Sequence, residues 1–126
     1  MRYLVDTTLL IDQAKGRDSA LGLVASLFEE PNDLYLCDII VTEALSGGDE
    51  RERDGINALI RALEYVSVPP DAAAWAAASR RERRATGPRS LADAIIAGLA
   101  WFMGATVVTR NPRDFERQGV PVLAYD

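Results

Sequence analysis

The sequence predicts an α/β protein, a three-layer sandwich in which helices cover both faces of a central, mainly parallel five-stranded sheet. Short apolar runs of strand length alternate with longer segments of helical periodicity, which is typical of crossover units. The strand runs are largely apolar, as expected of strands that are covered on both faces. A length of 126 residues suits one hydrophobic core, so we expect a single domain over residues 1–126.

Five short runs are predicted to be strands, and helical patterns fill the intervals between them. The strands are predicted over residues 3–5, 34–37, 66–68, 106–109 and 120–123. The helices are predicted over residues 9–16, 20–30, 39–45, 56–63, 71–84 and 90–102. Ser19 and Asp38 are predicted N-caps, because their side chains can accept hydrogen bonds from the first helical amides. The pair Gly87-Pro88 separates the last two long helices.

The amino-acid composition excludes several kinds of catalytic site and metal site. The chain has no histidine, which excludes histidine general bases, Ser-His-Asp relays and imidazole zinc sites. Cys37 is the only cysteine, so no intrachain disulfide can form and we expect a cytoplasmic protein. No apolar stretch is long enough to span a bilayer, and the N-terminus lacks a signal-peptide pattern, so no membrane partner is expected. Catalysis would therefore depend on carboxylates, hydroxyls, arginines or a metal ion.

The charge is distributed unevenly along the chain. The net charge is −5, which argues against a nonspecific coat on nucleic acid. Residues 1–79 carry 6 basic and 14 acidic side chains, whereas residues 80–126 carry 8 basic and 5 acidic ones. All of the basic side chains except Lys15 are arginines, which can bind phosphate or carboxylate through two parallel hydrogen bonds. The C-terminal third is therefore the place to look for contacts with anions.

Four acidic residues stand at positions where a carboxylate is unexpected or well placed for chemistry. Asp6 directly follows the first predicted strand, and Asp114 belongs to the segment 109–114 after the fourth. Glu43 is the only acid in the otherwise apolar helical turns of residues 39–45. Asp93 begins a helix that is apolar on nearly every side, which indicates a buried helix.

Each of these acids also has an ordinary structural explanation. Asp6 can cap the helix that follows it, and Glu43 can lie at the solvent edge of its helix. Asp93 can complete a variant capping box with Ser90. Asn111 can be an N-cap, with Pro112 as the first helical residue and Asp114 as a first-turn acid. These alternatives remain open at the level of single residues.

Taken together, the four acids favour a metal site. Elements that follow parallel strands meet at the carboxyl edge of the sheet, so the acids should converge there. Clustered carboxylates repel one another unless a cation or protons neutralise them, so Asp6→Asn or Asp93→Asn should stabilise the metal-free protein. Oxygen ligands, in a chain without histidine, favour Mg²⁺ or Mn²⁺.

Four motifs resemble the PIN domain, and most closely its VapC toxin ribonucleases. They are Tyr3-Leu4-Val5-Asp6-Thr7, Thr42-Glu43-Ala44, the run from Leu91 to Ala97, and the run from Thr109 to Phe115. Their order and spacing match over almost the whole chain. The resemblance implies a metal-dependent endoribonuclease that is the toxin of a toxin–antitoxin pair, forms a homodimer and is silenced by its cognate antitoxin.

The resemblance also implies the metal ligands. It maps the family's acids onto Asp6, Glu43, Asp93 and the 109–114 segment. In that segment Asn111 occupies a position that is often acidic in the family, and we expect Asp114 to supply the fourth carboxylate. Bound Mg²⁺ or Mn²⁺ would activate a water that attacks the RNA phosphodiester, leaving 5′-phosphate and 3′-hydroxyl ends.

Hydroxyl and basic side chains complete the hypothesis. Thr7, Thr109 and Asn111 would orient the water or the scissile phosphate. Arg110 and Arg113, together with the arginines of residues 80–84, are candidates for contacts with the RNA backbone, although a solvated helix face also explains residues 80–84.

Two alternatives to a nuclease remain. An inactive PIN-like module would use Trp75, Trp101 and the alanine-rich residues 72–78 as a surface for a partner protein. A phosphoryl-transfer enzyme on a similar sheet has less support. Asp6 is not followed by the second aspartate of haloacid-dehalogenase-like phosphatases, and Lys15 is far from the late strand end where receiver domains carry a lysine.

Overall fold

The computed structural model describes residues 1–126, in which five parallel strands form one sheet. The strands are β1 (Arg2–Val5), β2 (Asp33–Cys37), β3 (Glu64–Val66), β4 (Thr106–Thr109) and β5 (Val122–Ala124). They are arranged in the order β3-β2-β1-β4-β5, and every neighbouring pair is parallel. The predicted fold class is confirmed, and the sheet is wholly parallel rather than mainly so.

Seven helices flank the sheet. They are α1 (Thr7–Ala14), α2 (Asp18–Glu29), α3 (Asp38–Leu45), α4 (Glu50–Ala62), α5 (Pro70–Arg83), α6 (Pro88–Met103) and α7 (Arg113–Glu116). The chain moves in one direction along the sheet from β1 through β2 to β3, and in the opposite direction from β3 to β4 and β5. Right-handed crossovers then place α1 to α4 on one face and α5 to α7 on the other. None of the helices combines the length and apolar character needed to cross a membrane.

The strand order creates a crevice at the centre of the sheet. The neighbouring strands β1 and β4 lead into helices on opposite faces, so a gap opens at their carboxyl ends. Asp6 directly follows β1, and Thr109 is the last residue of β4. The fold therefore brings the carboxylate of Asp6 and the hydroxyl of Thr109 to one point, although the two residues are 103 positions apart in the chain.

The alanine-rich composition of α5 is explained by its close packing against α6. Ala72 and Ala76 are buried, and both lie against Gly98 of α6. A methyl group on Gly98 would collide with the backbone carbonyl oxygen of Ala72. Trp75 stacks on Trp101 with ring centroids 5.9 Å apart. Ala72 and Ala76, which were part of the surface suggested for a partner protein, are thus internal packing, whereas Ala73, Ala74, Ala77 and Trp101 are exposed.

Several predicted boundaries and caps are wrong. Strand β3 covers residues 64–66 and β5 covers residues 122–124, because the register with β2 and β4 selects those residues. The N-cap of α2 is Arg17 rather than Ser19, and Asp38 lies in the first turn of α3. Helix α6 begins at Pro88, whose fixed φ suits a first helical position.

Candidate active site

Asp6 is the buried anchor of the site. Its side chain is 5% exposed and accepts three hydrogen bonds. The donors are the Thr7 amide at 2.8 Å, the Thr109 hydroxyl at 2.8 Å and the Thr8 hydroxyl at 3.3 Å. Burial raises the pKa of Asp6, the hydrogen bonds oppose that rise, and the negative charge of Glu43 adds to it. The capping role proposed for Asp6 is confirmed, and the same carboxylate also faces the crevice.

Thr109 supports Asp6 from behind. It is fully buried, donates its hydroxyl hydrogen to Asp6 Oδ2, and accepts the Asn111 amide at 3.0 Å. Thr109 has no exposed surface and is not part of the cleft lining, and its expected role in orienting a water or a phosphate stays a prediction. In this structure its hydroxyl orients the Asp6 carboxylate. Sequence patterns do not reveal this role, because its partner, Asp6, follows a different strand.

Thr7 connects Asp6 to Glu43. The Thr7 amide binds Asp6, and the Thr7 hydroxyl donates to Glu43 Oε1 at 3.1 Å. Glu43 is half-buried on α3 and faces the same crevice. Two of the predicted acids are therefore held in one hydrogen-bonded unit.

Asp93 and Asp114 lie on the opposite side of the crevice, on α6 and α7. The predicted capping box between Ser90 and Asp93 is absent, because α6 starts at Pro88 and places Asp93 in its second turn. Burial, reinforced by the charges of Asp114, Asp6 and Glu43, raises the pKa of Asp93 to about 7. Arg89 opposes this rise. Neither carboxylate accepts a hydrogen bond or forms an ion pair within the protein.

The four acids line one cleft of about 580 Å³. Thr7, Thr8 and Asn111 also contribute to its wall, with Ile39 and Leu91 among its apolar residues. Asn111 precedes α7 without capping it by a side-chain hydrogen bond, since the N-cap position is Pro112. The structure thus brings together the predicted acids, Thr7 and Asn111, and keeps Thr109 just behind them.

Arg110 and Arg113 lie outside the lining of this cleft. Arg110 Nε is 3.1 Å from Oδ2 of Asp12, a carboxylate that is only 6% exposed. Tyr125 donates its hydroxyl hydrogen to the same oxygen at 2.7 Å. Burial and this hydrogen bond raise the pKa of Tyr125. The Arg110 guanidinium is therefore committed to a structural pair, which sequence analysis missed because Asp12 resembles an ordinary helical acid.

The donor chemistry of the cleft fits a divalent cation such as Mg²⁺. All of the available ligands are oxygens, and Asp93 and Asp114 carry carboxylates without protein partners. As the side chains stand, no three acids converge on one point at ligand distance. Mg²⁺ usually keeps several waters and binds one or two carboxylates, so this spread-out arrangement suits a partly hydrated ion.

Comparisons with known proteins identify the family. The PIN domain family model matches residues 3–120. Ribonuclease VapC19 from Mycobacterium tuberculosis is 28% identical over 113 residues, which cover 89% of this chain and 90% of that protein.

Solved structures show the same fold. The crystal structure of VapBC2 from Rickettsia felis, bound to a DNA fragment from the promoter, gives a TM-score of 0.80 at 19% identity and covers 100% of both chains. A toxin–antitoxin complex from Klebsiella pneumoniae gives a TM-score of 0.74 at 27% identity, over 97% of this chain and 96% of that one. Given the match of the family model to nearly the whole chain, this protein belongs to the PIN domain family.

Proposed function

We propose that this PIN domain is a metal-dependent endoribonuclease, and that it is the toxin of a toxin–antitoxin pair. The observation that carries the proposal is the convergence of Asp6, Glu43, Asp93 and Asp114 on one cleft at the carboxyl ends of β1 and β4. Similarity to a VapC ribonuclease and to toxin–antitoxin complexes supports both the reaction and the biological role.

The four carboxylates would hold Mg²⁺ or Mn²⁺. A divalent cation bound there would supply Lewis-acid activation of water and of the phosphodiester. Asp6 is already oriented by its three hydrogen bonds, so it needs little reorganisation on binding. Asp93 and Asp114 have no protein partners to exchange and are free to rotate toward the ion.

The remaining residues of the cleft bind and orient the RNA. Thr7 holds Glu43 through its hydroxyl and can turn that hydroxyl toward a water or a phosphate oxygen. Asn111 offers side-chain N–H donors to the scissile phosphate. Arg113 is exposed and can approach the RNA backbone, whereas Arg110 contributes by fixing the position of the 109–111 segment. Hydrolysis would leave 5′-phosphate and 3′-hydroxyl ends.

The proposed partners are an RNA substrate, a cognate antitoxin and a second copy of the chain, in the cytoplasm. Exposed apolar side chains on α6, including Leu91, Trp101 and Phe102, supply surface for protein contacts. The solved toxin–antitoxin complexes support an antitoxin as one partner.

A cleavage assay tests the nuclease. Purified chain, free of antitoxin, is incubated with total cellular RNA in Mg²⁺ or Mn²⁺, beside a sample in EDTA, and the new RNA ends are sequenced. Asp93→Asn should reduce cutting by about 100-fold or more, since even the outer partners of metal ligands typically contribute 10- to 100-fold. Asp54→Asn is the matched control, because Asp54 is exposed on α4 and makes no side-chain hydrogen bond.

The outcomes separate the nuclease from an inactive module. Discrete cuts that disappear in EDTA and in Asp93→Asn, and persist in Asp54→Asn, would establish the activity. Equal cutting by the wild type and Asp93→Asn would indicate a contaminating ribonuclease. No cutting of any RNA would favour a PIN domain that binds partners without catalysis.

A further inference from the structure

A second, wholly polar pocket adjoins the carboxylate cleft. It has a volume of about 440 Å³ and no apolar side chain in its wall. Arg83, Arg89, Ser90 and Gln118 are among its lining residues, and it shares Arg89, Asp93 and Asp114 with the cleft. A chain of RNA that passes through the cleft would therefore continue into this pocket.

Arg83 is held in this pocket by a relay of hydrogen bonds. Its Nε donates to Ser79 Oγ at 3.2 Å, and the Ser79 hydroxyl donates to Gln118 Oε1 at 3.0 Å. Gln118 Nε2 in turn donates to the backbone carbonyl oxygen of Asp114 at 2.7 Å. The position of the guanidinium is thus tied to α7, which carries one of the four acids.

The Nη2 atom of Arg83 is buried and has no hydrogen-bond acceptor. A buried donor on a charged group costs roughly 1–3 kcal/mol or more when it lacks an acceptor. Structures retain such a cost where a ligand supplies the acceptor, and a guanidinium is suited to the oxygens of phosphate. Arg83 also lines the pocket, so this unpaired donor belongs to a guanidinium that an anion in the pocket would meet.

Charge indicates the same kind of ligand. Neither Arg83 nor Arg89 forms an ion pair, because the only salt bridge of the chain joins Arg110 to Asp12. Arg83 lines only the pocket, whereas Arg89, Asp93 and Asp114 line both the pocket and the cleft. The arginines attract an anion and the two acids repel it, so the end of the pocket that Arg83 lines is the favoured position.

We propose that Arg83 and Arg89 bind a backbone phosphate of single-stranded RNA, next to the phosphate that lies among the carboxylates. This inference rests on the proposed ribonuclease function. It adds a subsite that fixes the register of the RNA strand in the cleft. A phosphate is favoured over the carboxylate of a partner protein because the pocket continues the groove in which a phosphodiester would be cut.

RNA binding without metal tests the subsite independently of cutting. The probe is a short fluorescein-labelled single-stranded RNA, measured by fluorescence anisotropy in EDTA over a range of salt concentrations. Arg83→Gln and Arg89→Gln should each weaken binding about tenfold, as expected for loss of a hydrogen bond between charged groups. Each should also reduce the slope of log affinity against log salt by about 0.7, the value for one phosphate contact of a single strand.

Arg61→Gln is the matched control. Arg61 is exposed on α4, on the opposite face of the sheet, has the same charge, makes no side-chain hydrogen bond and lies outside the pocket. Its substitution should leave both affinity and salt slope close to the wild-type values. Arg89 is exposed and makes no side-chain hydrogen bond, so Arg89→Gln remains informative if Arg83→Gln fails to fold, which circular dichroism would reveal.

Chemically altered probes distinguish an RNA phosphate from a free anion. Neutral methylphosphonate is placed at one linkage at a time, and one position should reproduce the loss caused by Arg89→Gln. The two changes together should then cost little more than either one. If inorganic phosphate competes through Arg83 and Arg89 but no linkage shows this effect, the pocket binds free anions and the proposal is overturned.

The subsite and the nuclease can fail separately. If the wild type cuts RNA, and both pocket variants bind like Arg61→Gln, the subsite proposal is wrong while the ribonuclease stands. If binding depends on Arg83 and Arg89 but the wild type does not cut in Mg²⁺ or Mn²⁺, the subsite stands and the proposed activity is wrong.

Discussion

Asp6 and Asp93 occupy the same cleft and both have a raised pKa, yet the protein supports them in different ways. Asp6 is almost completely buried and accepts hydrogen bonds from Thr7, Thr8 and Thr109. Asp93 accepts none, and its charged form is opposed by burial and by the neighbouring acids. One carboxylate is therefore part of the fold, whereas the other remains available at a cost in stability.

Asp12 is a third buried carboxylate that can be compared with Asp6 and Asp93. It is about as buried as Asp6, but it is neutralised by Arg110 and hydrogen-bonded by Tyr125 outside the cleft. Burial of a carboxylate is thus insufficient to mark a functional site. The informative combination is partial burial, nearby negative charge and no protein partner, which Asp93 shows and Asp12 does not.

Among variants that leave the four acids of the cleft in place, the largest effect is expected where the support of Asp6 is removed. Thr109→Val keeps the shape of the side chain but removes the hydroxyl that binds Asp6 and accepts the Asn111 amide. RNA cutting should fall about 10- to 100-fold, as for other residues that orient metal ligands. The metal concentration needed for half-maximal activity should rise.

Thr106→Val provides the control for that substitution. Thr106 lies on the same strand and its hydroxyl makes no hydrogen bond, so cutting should remain close to the wild-type rate. Equal losses in the two variants would show that Thr109 does not act through Asp6.

Breaking the pair between Arg110 and Asp12 should affect stability more than RNA binding. Arg110→Gln leaves the buried Asp12 carboxylate with Tyr125 as its only side-chain partner, which should cost about 1–2 kcal/mol. Urea denaturation measures this loss. The salt dependence of RNA binding should stay unchanged, and a shallower slope would instead support a direct contact between Arg110 and RNA.

Replacing Asp6 or Asp93 with asparagine should change the stability of the metal-free protein in opposite directions. Asp93→Asn removes a poorly solvated charge that other acids repel, and should stabilise by about 1 kcal/mol after allowance for solvent screening. Asp6→Asn replaces one acceptor oxygen with an N–H group facing hydrogen-bond donors, and should destabilise, contrary to what the sequence predicts. Thermal melts in EDTA test both, and stabilisation by Asp6→Asn would contradict the comparison.

The smallest effect is a pH dependence that belongs to Asp93. Its pKa is near 3.8 when the chain is unfolded and about 7 in the folded protein, so the folded state binds the proton more tightly. Its contribution to stability is fully present below about pH 4 and is lost as the pH rises through about 7. Melting temperatures of the wild type and Asp93→Asn in EDTA should therefore diverge across this interval, and a constant difference would contradict the raised pKa.

Much of the fold and of the acid set follows from local patterns in the sequence. Apolar runs separated by helical periodicity determine an α/β sandwich, because each pattern matches the surface that its element must bury. Parallel strands then place Asp6, Glu43 and Asp114 near one edge of the sheet, since each follows the carboxyl end of a strand. The apolar helix that begins near Asp93 singles out that acid, and oxygen ligands in a chain without histidine predict Mg²⁺ or Mn²⁺, which the resemblance to the PIN domain supports.

Other features depend on the tertiary structure alone. The register of β3 and β5 is decided by their neighbours, because edge residues such as Glu64 and Tyr65 are too polar or exposed to form an apolar run. The start of α6 at Pro88 decides that Asp93 is not a capping residue. The local sequence is compatible with a helix that starts at Ser90 and with one that starts at Pro88, and only the packing of the helix selects the second.

Contacts between residues far apart in the chain show most clearly what only the tertiary structure decides. The hydrogen bond from Thr109 to Asp6 spans 103 residues, and the pair of Arg110 with Asp12 joins the end of β4 to α1. Residue type and local periodicity determine which segments are buried, but the partner of a polar side chain depends on which strands become neighbours. The sequence by itself thus determined the fold class and the positions of the acids along the chain. The strand order decided that Asp6 is hydrogen-bonded, that Asp12 is paired with Arg110 and that Asp93 has no partner.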